Sequence, residues 1–277
     1  MTTKCFYHNA DLDGQCAGAS VKNFLRDAEL IGINYGDEFP WETIKPEDNV
    51  IMVDFSLQPF SDMQRLNKSC NLLWIDHHKS AIEECIYSEE MFWGIHRNGI
   101  GACALVWEWF EHSVPLAVRL LAEYDVWNHK DPSTLPFQWG MRMMDTKPEN
   151  EVLWHSLFEA GQTELDPIIR TGETLLRYQA QENEKYIKSA AFETELDGLK
   201  CIAVNKMLTN SQLFDSVWDA EKYHAMLTFG YRKGKWTVSL YSTKQDVDVS
   251  TIAKIRGGGG HKGAAGFQCT ILPFELK

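Results

Sequence analysis

Four runs in the first eighty residues are apolar at almost every position: KCFYH (4–8), ELIGINY (29–35), NVIMVDF (49–55) and NLLWIDHH (71–78). A strand buried on both faces reads this way, because neither side of its pleat meets water. Between them, QCAGASVKNFLRDA (15–28) and SDMQRLNKS (61–69) space their apolar residues three and four apart and predict helices. Strand, helix and strand in repetition predict a parallel sheet with helices on its faces. GACALVWEWFEH (101–112) and PLAVRLLAEY (115–124) then predict two consecutive helices, with Pro115 in the first turn of the second.

The second half has a different texture. ETLLRYQAQENEKYIKSAAFETEL (173–196) is charged, rich in helix formers and reads as one long connecting helix. Beyond it come a strand, KCIAVN (200–205), a helix, SQLFDSVWDA (211–220), and two strand-like runs about RKGK (232–235), which predict a hairpin. A helix STIAKIR (250–256), the glycine run GGGGHKGAAG (257–266) and a strand FQCTIL (267–272) close the pattern. The expected fold class is α/β: a parallel-sheet domain over residues 1–162, a helical linker over 163–193 and a smaller α/β domain over 194–277.

Composition narrows the function classes. The net charge of −12 argues against a protein that coats long nucleic acid, since phosphate contacts need clustered Lys and Arg. The charge is uneven: residues 222–262 hold eight Lys or Arg against two acids, so a local anion site there is expected. No stretch is apolar for the length of a membrane helix, and the first thirty residues lack the pattern of a signal peptide, so no membrane partner is expected. Seven cysteines with no CxxC pair point to a reducing compartment, and a cytoplasmic location is the expectation.

Acids and histidines gather at the ends of three predicted strands. His8, Asp11 and Asp13 follow the first, Asp54 ends another, and Asp76, His77 and His78 end a third. Ligands of open parallel sheets bind beyond the carboxyl ends of the strands. So many carboxylates at one edge repel one another unless cations neutralise them, and mixed oxygen and nitrogen donors suit Mn²⁺, Fe²⁺, Co²⁺ or Zn²⁺ better than Ca²⁺. A lone Asp after a strand would ordinarily be a helix cap; three clusters together are not explained that way. Arg97 and Asn98, in HRNGIGACA (96–104), are candidate phosphate contacts where the chain enters a helix beside the site.

At these residues the chain resembles the DHH phosphoesterase superfamily. HNADLDG, VDFS, IDHHKS and AEYDVW are similar to its first four motifs, with Asp125 as the acid of the fourth, and GGGGHKGAAGF is similar to the glycine-rich motif of the DHH-associated C-terminal domain. The two-domain form looks most like the nano-RNase and oligoribonuclease branch. The resemblance implies two divalent metals, usually Mn²⁺ with Co²⁺ or Mg²⁺ as alternatives. Carried over by position, His8, Asp11 and Asp54 would hold one, and Asp13, Asp54, His77 and Asp125 the other. His78 would face the substrate phosphate, and Asp76 would orient the histidine beside it. His8 precedes Asp11 by three residues where many members have four.

Two such cations acidify a water and clamp phosphoryl oxygens for in-line attack. In the second domain, Gly258, Gly259 and Gly260 would let backbone N–H groups approach an anion, with Arg256 forking onto a terminal phosphate and His261 and Lys262 adding polar contacts. The expected substrate is a short oligonucleotide or dinucleotide, cut to mononucleotides in a cleft with metals on one wall and the clamp on the other. An inorganic pyrophosphatase or exopolyphosphatase shares the metal motifs, and a nucleotide-binding module without catalysis is the alternative outside enzymes. A homodimer is left open. Trp107 and Trp109 read as packing residues, Trp127 as one that could reach a base, and His112, His129, His155 and His224 as surface or packing residues.

Overall fold

Alternate residues of the apolar runs enter two different cores. Cys5, Tyr7, Ile51, Val53, Leu73 and Ile75 pack in one, and Phe6, Val50, Met52, Leu72 and Trp74 in the other. That alternation is the period of strands covered on both faces. The computed structural model describes residues 2–111 and 113–276, and of His261 the backbone alone. It divides into two compact units, Met1–Leu176 and Arg177–Lys277.

The first unit is built on strands β1 (Thr3–His8), β2 (Glu29–Ile33), β3 (Asn49–Val53), β4 (Asn71–Asp76) and β5 (Trp93–His96). All pair in parallel, in the order β2-β1-β3-β4-β5. On one face lie α1 (Leu12–Phe24), α4 (Ala102–Phe110), α5 (Leu116–Asp125), α6 (Thr134–Met141) and α7 (Glu151–Glu159), contributing Cys16, Leu105, Leu120, Phe137 and Trp154 to the first core. On the other face, α2 (Ser61–Ser69) and α3 (Lys79–Ser88) supply Met63, Leu66 and Ala81. Strand order reverses between β1 and β3, which opens a crevice beyond their carboxyl ends. A methyl group at Gly14 would stand 2.0 Å from the His8 carbonyl oxygen. The small residues after the acidic motif therefore let α1 lie directly against β1.

α8 (Gln162–Ala190) spans the boundary between the units. The second unit carries a six-stranded mixed sheet in the order β10-β11-β9-β8-β7-β6. Its strands are β6 (Phe192–Leu196), β7 (Leu199–Asn205), β8 (Ala225–Arg232), β9 (Lys235–Tyr241), β10 (Gly259–His261) and β11 (Ala264–Cys269), and α9 (Val249–Ile255) packs beside them. The expected α/β class, with one parallel sheet and a second smaller α/β unit, is present.

Three local expectations are corrected. FETEL does not continue the long helix: Thr194 and Leu196 are buried while Glu193 and Glu195 are exposed, a period of two that makes β6 an edge strand with charged outer residues. SQLFDSVWDA is not an α-helix but a single 3-10 turn, Ser211–Phe214, capped by Asn210, whose side chain accepts from Gln212 N. Adjacent Leu213 and Phe214 both enter the core, and so short a run cannot offset the cost of helix nucleation. Within the glycine run, Gly259–His261 pair antiparallel with Ala264–Gly266, a short strand that no apolar pattern predicts. Pro115 stands immediately before α5 instead of in its first turn.

Candidate metal centre

The crevice between β1 and β3 receives side chains from five elements. His8 ends β1, Asp11 caps α1 and Asp13 sits in its first turn, with the Asp11 side chain accepting from Gly14 N. Asp54 follows β3 with a φ of +55°, a left-handed conformation that costs an ordinary residue about 1–2 kcal/mol and that Asp tolerates better than most. Asp76 ends β4, His77 and His78 lead into α3, and Asp125 ends α5. Asp13, Asp54 and Asp76 are buried.

Asp54 faces two ways. Its Oδ2 lies 3.5 Å from His8 Nδ1, which is itself 3.0 Å from Asp11 Oδ2. Its Oδ1 lies 3.1 Å from His77 Nε2, which is 3.3 Å from Asp125 Oδ2 and 3.8 Å from Asp13 Oδ2. Three donor groups result: His8, Asp11 and Asp54; Asp13, His77 and Asp125; and Asp54, His77 and His78. Within each group the donor atoms lie within 4.8 Å of one another. The structure thus brings together every sequence-predicted acid and histidine of the metal set, and the shorter His8–Asp11 spacing does not keep His8 away.

These groups converge without satisfying one another. His8 Nδ1 and Asp54 Oδ1 are buried and make no aligned hydrogen bond. Orphaned buried polar atoms are costly, so the set fits a cation that would accept their lone pairs. The electrostatics agree. Burial opposes charge on His8, but Asp11 and Asp54 outweigh it and raise the imidazole to about 10. Burial likewise opposes charge on His77, and Asp54, Asp13 and Asp125 raise it to about 10. Burial and the charge of Asp54 push Asp13 up to about 6, and burial and Asp13 push Asp125 up to about 7. Burial also raises Asp54, against the pull of His77 and His8. In the metal-free chain the histidines thus hold protons that a metal would displace.

Two neighbours position the set. Asp13 accepts from Ala102 N at 2.6 Å and Cys103 N at 3.1 Å, the free N–H groups that open α4. Asp76 Oδ1 accepts from His77 N at 2.7 Å and His78 N at 3.2 Å, and lies 2.7 Å from His78 Nδ1.

The chain is 30% identical over 245 residues to R106, an uncharacterised protein of Acanthamoeba polyphaga mimivirus, in an alignment covering 82% of this chain and 55% of that protein. The chain therefore spans about half the length of the curated relative it matches. No family model matches the chain. Among solved structures, the DHH domain of a member of the s1p family of ribosomal proteins is similar with a TM-score of 0.59 at 14% identity, over 96% of this chain and 82% of that one. PggH of Vibrio cholerae, a pGpG-specific phosphodiesterase, is similar with a TM-score of 0.56 at 13% identity, over 98% of this chain and 94% of that one. The chain has the DHH-domain fold.

The other predicted site residues have partners of their own. Arg97 donates to Glu108, and Asn98 donates to the His77 carbonyl at 3.2 Å. In the second unit, Arg256 donates to Asp197 Oδ1 at 2.7 Å and to the Ile252 carbonyl at 3.0 Å. A Cβ at Gly258 would meet Gly266 O at 2.1 Å, and Gly260 has a φ of +137° with Ala265 Cα 2.5 Å from such a Cβ, so both glycines are required by hairpin packing. Gly259 alone of the three faces open space. The side chain of His261, and His112, lie outside the described residues. Trp127 is 53% exposed and packs on Tyr124 and His129.

Sequence reading missed Tyr35 and Phe55. Their rings lie 5.6 Å and 6.0 Å from that of His8 and 4.6 Å from each other. The available signal was position: each closely follows a strand end at the crevice.

Proposed function

We propose that the chain is a metal-dependent phosphodiesterase that cuts short oligonucleotides or dinucleotides to mononucleotides, acting in the cytoplasm. The observation that carries the reading is Asp54, whose two oxygens face two separate donor sets across a crevice at the strand-order switch. The PggH likeness supports the same chemistry at the level of fold.

His8, Asp11 and Asp54 would hold one divalent metal, and Asp13, Asp54, His77 and Asp125 the other. Bound there, the metals would supply an acidified water and positive charge for the phosphoryl oxygens. The chain's own residues do the rest. Asp76 fixes His78 through Nδ1, which leaves Nε2 to donate to a phosphate or leaving-group oxygen. Burial disfavours charge on His78, but the Asp76 bond and charge raise its pKa, so it keeps a proton to donate. The N–H groups that open α4 hold Asp13 in place without drawing on a side chain. Arg256 and Gly259 of the second unit would hold a terminal phosphate, with Arg256 exchanging Asp197 for it.

The test is hydrolysis by the purified chain of 5′-phosphorylated dinucleotides, longer oligomers, cyclic dinucleotides and pyrophosphate. Each is run with Mn²⁺, Co²⁺ or Mg²⁺ and after chelation. Dinucleotides are expected to be cut fastest, with Mn²⁺ or Co²⁺, and not at all after chelation. Preference for pyrophosphate would assign the chain to inorganic phosphohydrolysis. Metal binding with no turnover of any substrate would make it a binding module.

A further inference from the structure

A cavity of about 360 Å³ in the first unit is walled by the rings of Tyr35, Phe39, Trp41 and Phe55. Its volume lies in the range of small-ligand sites. Tyr35 and Phe55 belong to both places, since their rings also flank His8, and the Tyr35 ring lies 6.2 Å from that of His78. A group bound in the cavity therefore sits one aromatic ring away from the metal centre.

The polar lining is one-sided. No Lys or Arg is among the described lining residues, while Glu38 and Asp62 are, and among the described residues neither of their side chains has a hydrogen bond or ion pair. Asp37 also lines the cavity, but its carboxylate already accepts from Asn34 N at 2.9 Å. Such a cavity repels phosphate and takes a flat group that stacks and donates. Arg65 lies 3.8 Å over the Trp41 ring and fixes that wall.

We infer that this cavity binds the nucleobase of the nucleotide whose phosphate lies at the metal centre, and that it selects guanine. Only guanine presents two adjacent donors, N1–H and the N2 amino group, in the spacing of one carboxylate; adenine and cytosine offer one amino group and uracil one imino group. The inference rests on the phosphodiesterase reading for its link to the phosphate, but the base preference is a binding property that can be measured without turnover.

The experiment titrates guanosine, adenosine, cytidine and uridine into the full chain by calorimetry or saturation-transfer NMR. Guanosine lacks a phosphate, so the metal centre contributes nothing. Guanosine is expected to bind at least about ten-fold more tightly than the other three. Glu38→Gln with Asp62→Asn is expected to erase that preference while leaving the thermal unfolding midpoint and the Mn²⁺-dependent hydrolysis of bis-p-nitrophenyl phosphate unchanged. Equal binding of the four nucleosides, or a guanine preference that survives the double substitution, overturns the inference. Guanosine binding with no hydrolysis of any phosphoester leaves it standing and overturns the phosphodiesterase reading instead.

Discussion

The metal centre of the first unit and the glycine-rich segment around Arg256 are similar as sequence, each placing charged residues beside a run of small ones. They differ in how far the chain answers its own charges. At the metal centre, His8 and Asp54 keep buried polar atoms with no partner, and five Asp and three His residues crowd one crevice. In the second unit Arg256 is already held by Asp197 and the Ile252 carbonyl, and two of the three central glycines are required by packing. A site that leaves buried polar atoms without a partner can take a ligand directly; one that pairs its charges internally must exchange a partner to bind anything.

The strongest way to break this comparison is Asp54→Asn. Losing a carboxylate shared by both donor sets is expected to cost hydrolysis of dinucleotides and of bis-p-nitrophenyl phosphate alike at least about a hundred-fold, ~2.7 kcal/mol in the barrier. The circular dichroism spectrum should be unchanged, because Asn keeps the shape of the side chain and tolerates the left-handed backbone found at Asp54. Retention of more than about a tenth of wild-type activity, a barrier change below ~1.4 kcal/mol, would show that Asp54 does not link the two sets.

Next in size is a contrast within the glycine run. Gly258→Leu forces a side chain against the Gly266 carbonyl and is expected to destabilise the second unit by about 1–3 kcal/mol, read as a lower denaturant midpoint. Gly259→Ala should leave that midpoint alone and weaken only nucleotide turnover. Equal midpoints for the two variants would contradict the packing account.

Arg256→Ala sharpens the other half of the comparison. Losing one charge-assisted contact is expected to lower kcat/KM for dinucleotides about ten-fold, ~1.4 kcal/mol, and to spare bis-p-nitrophenyl phosphate, which has no terminal phosphate. An equal fall for both substrates would mean that Arg256 only braces the fold through Asp197.

The most gradual effect is on pH. His8 and His77 rise in the folded chain from 6.5 to about 10, and Asp13 and Asp125 rise from 3.8 to about 6 and about 7. The folded chain therefore binds more protons than the unfolded chain across that range, and these groups lose their stabilising contribution as pH rises through the folded values. After chelation, the melting temperature should fall steadily from pH 6.5 towards pH 10, and Mn²⁺ should restore most of it at the alkaline end. A chelated melting temperature that holds level or climbs over this range would refute the proton accounting.

Much of this was legible from the residues alone. The near-continuous apolar runs KCFYH, NVIMVDF and NLLWIDHH announced strands covered on both faces, and the acids and histidines at their ends announced the crevice. Less legible were segments whose local pattern conflicts with their surroundings. FETEL carries helix-forming glutamates, yet Thr194 and Leu196 are the residues that bury, and the sheet overrides propensity. The glycine run lacks side chains from which a period could be read, so its pairing in β10 was invisible.

The sequence by itself determined the strand and helix alternation, the donor types at the strand ends and the positions where small residues let α1 approach β1, because these depend on spacing of a few residues. Only the tertiary structure decided that both oxygens of Asp54 are used, that Asp125 from α5 reaches His77, that Tyr35 and Phe55 wall a cavity beside them, and that Asp197 captures Arg256 from 59 positions away. Those pairings depend on strand register and helix packing across long stretches of chain, and no local period encodes the distance between side chains that the fold alone brings together.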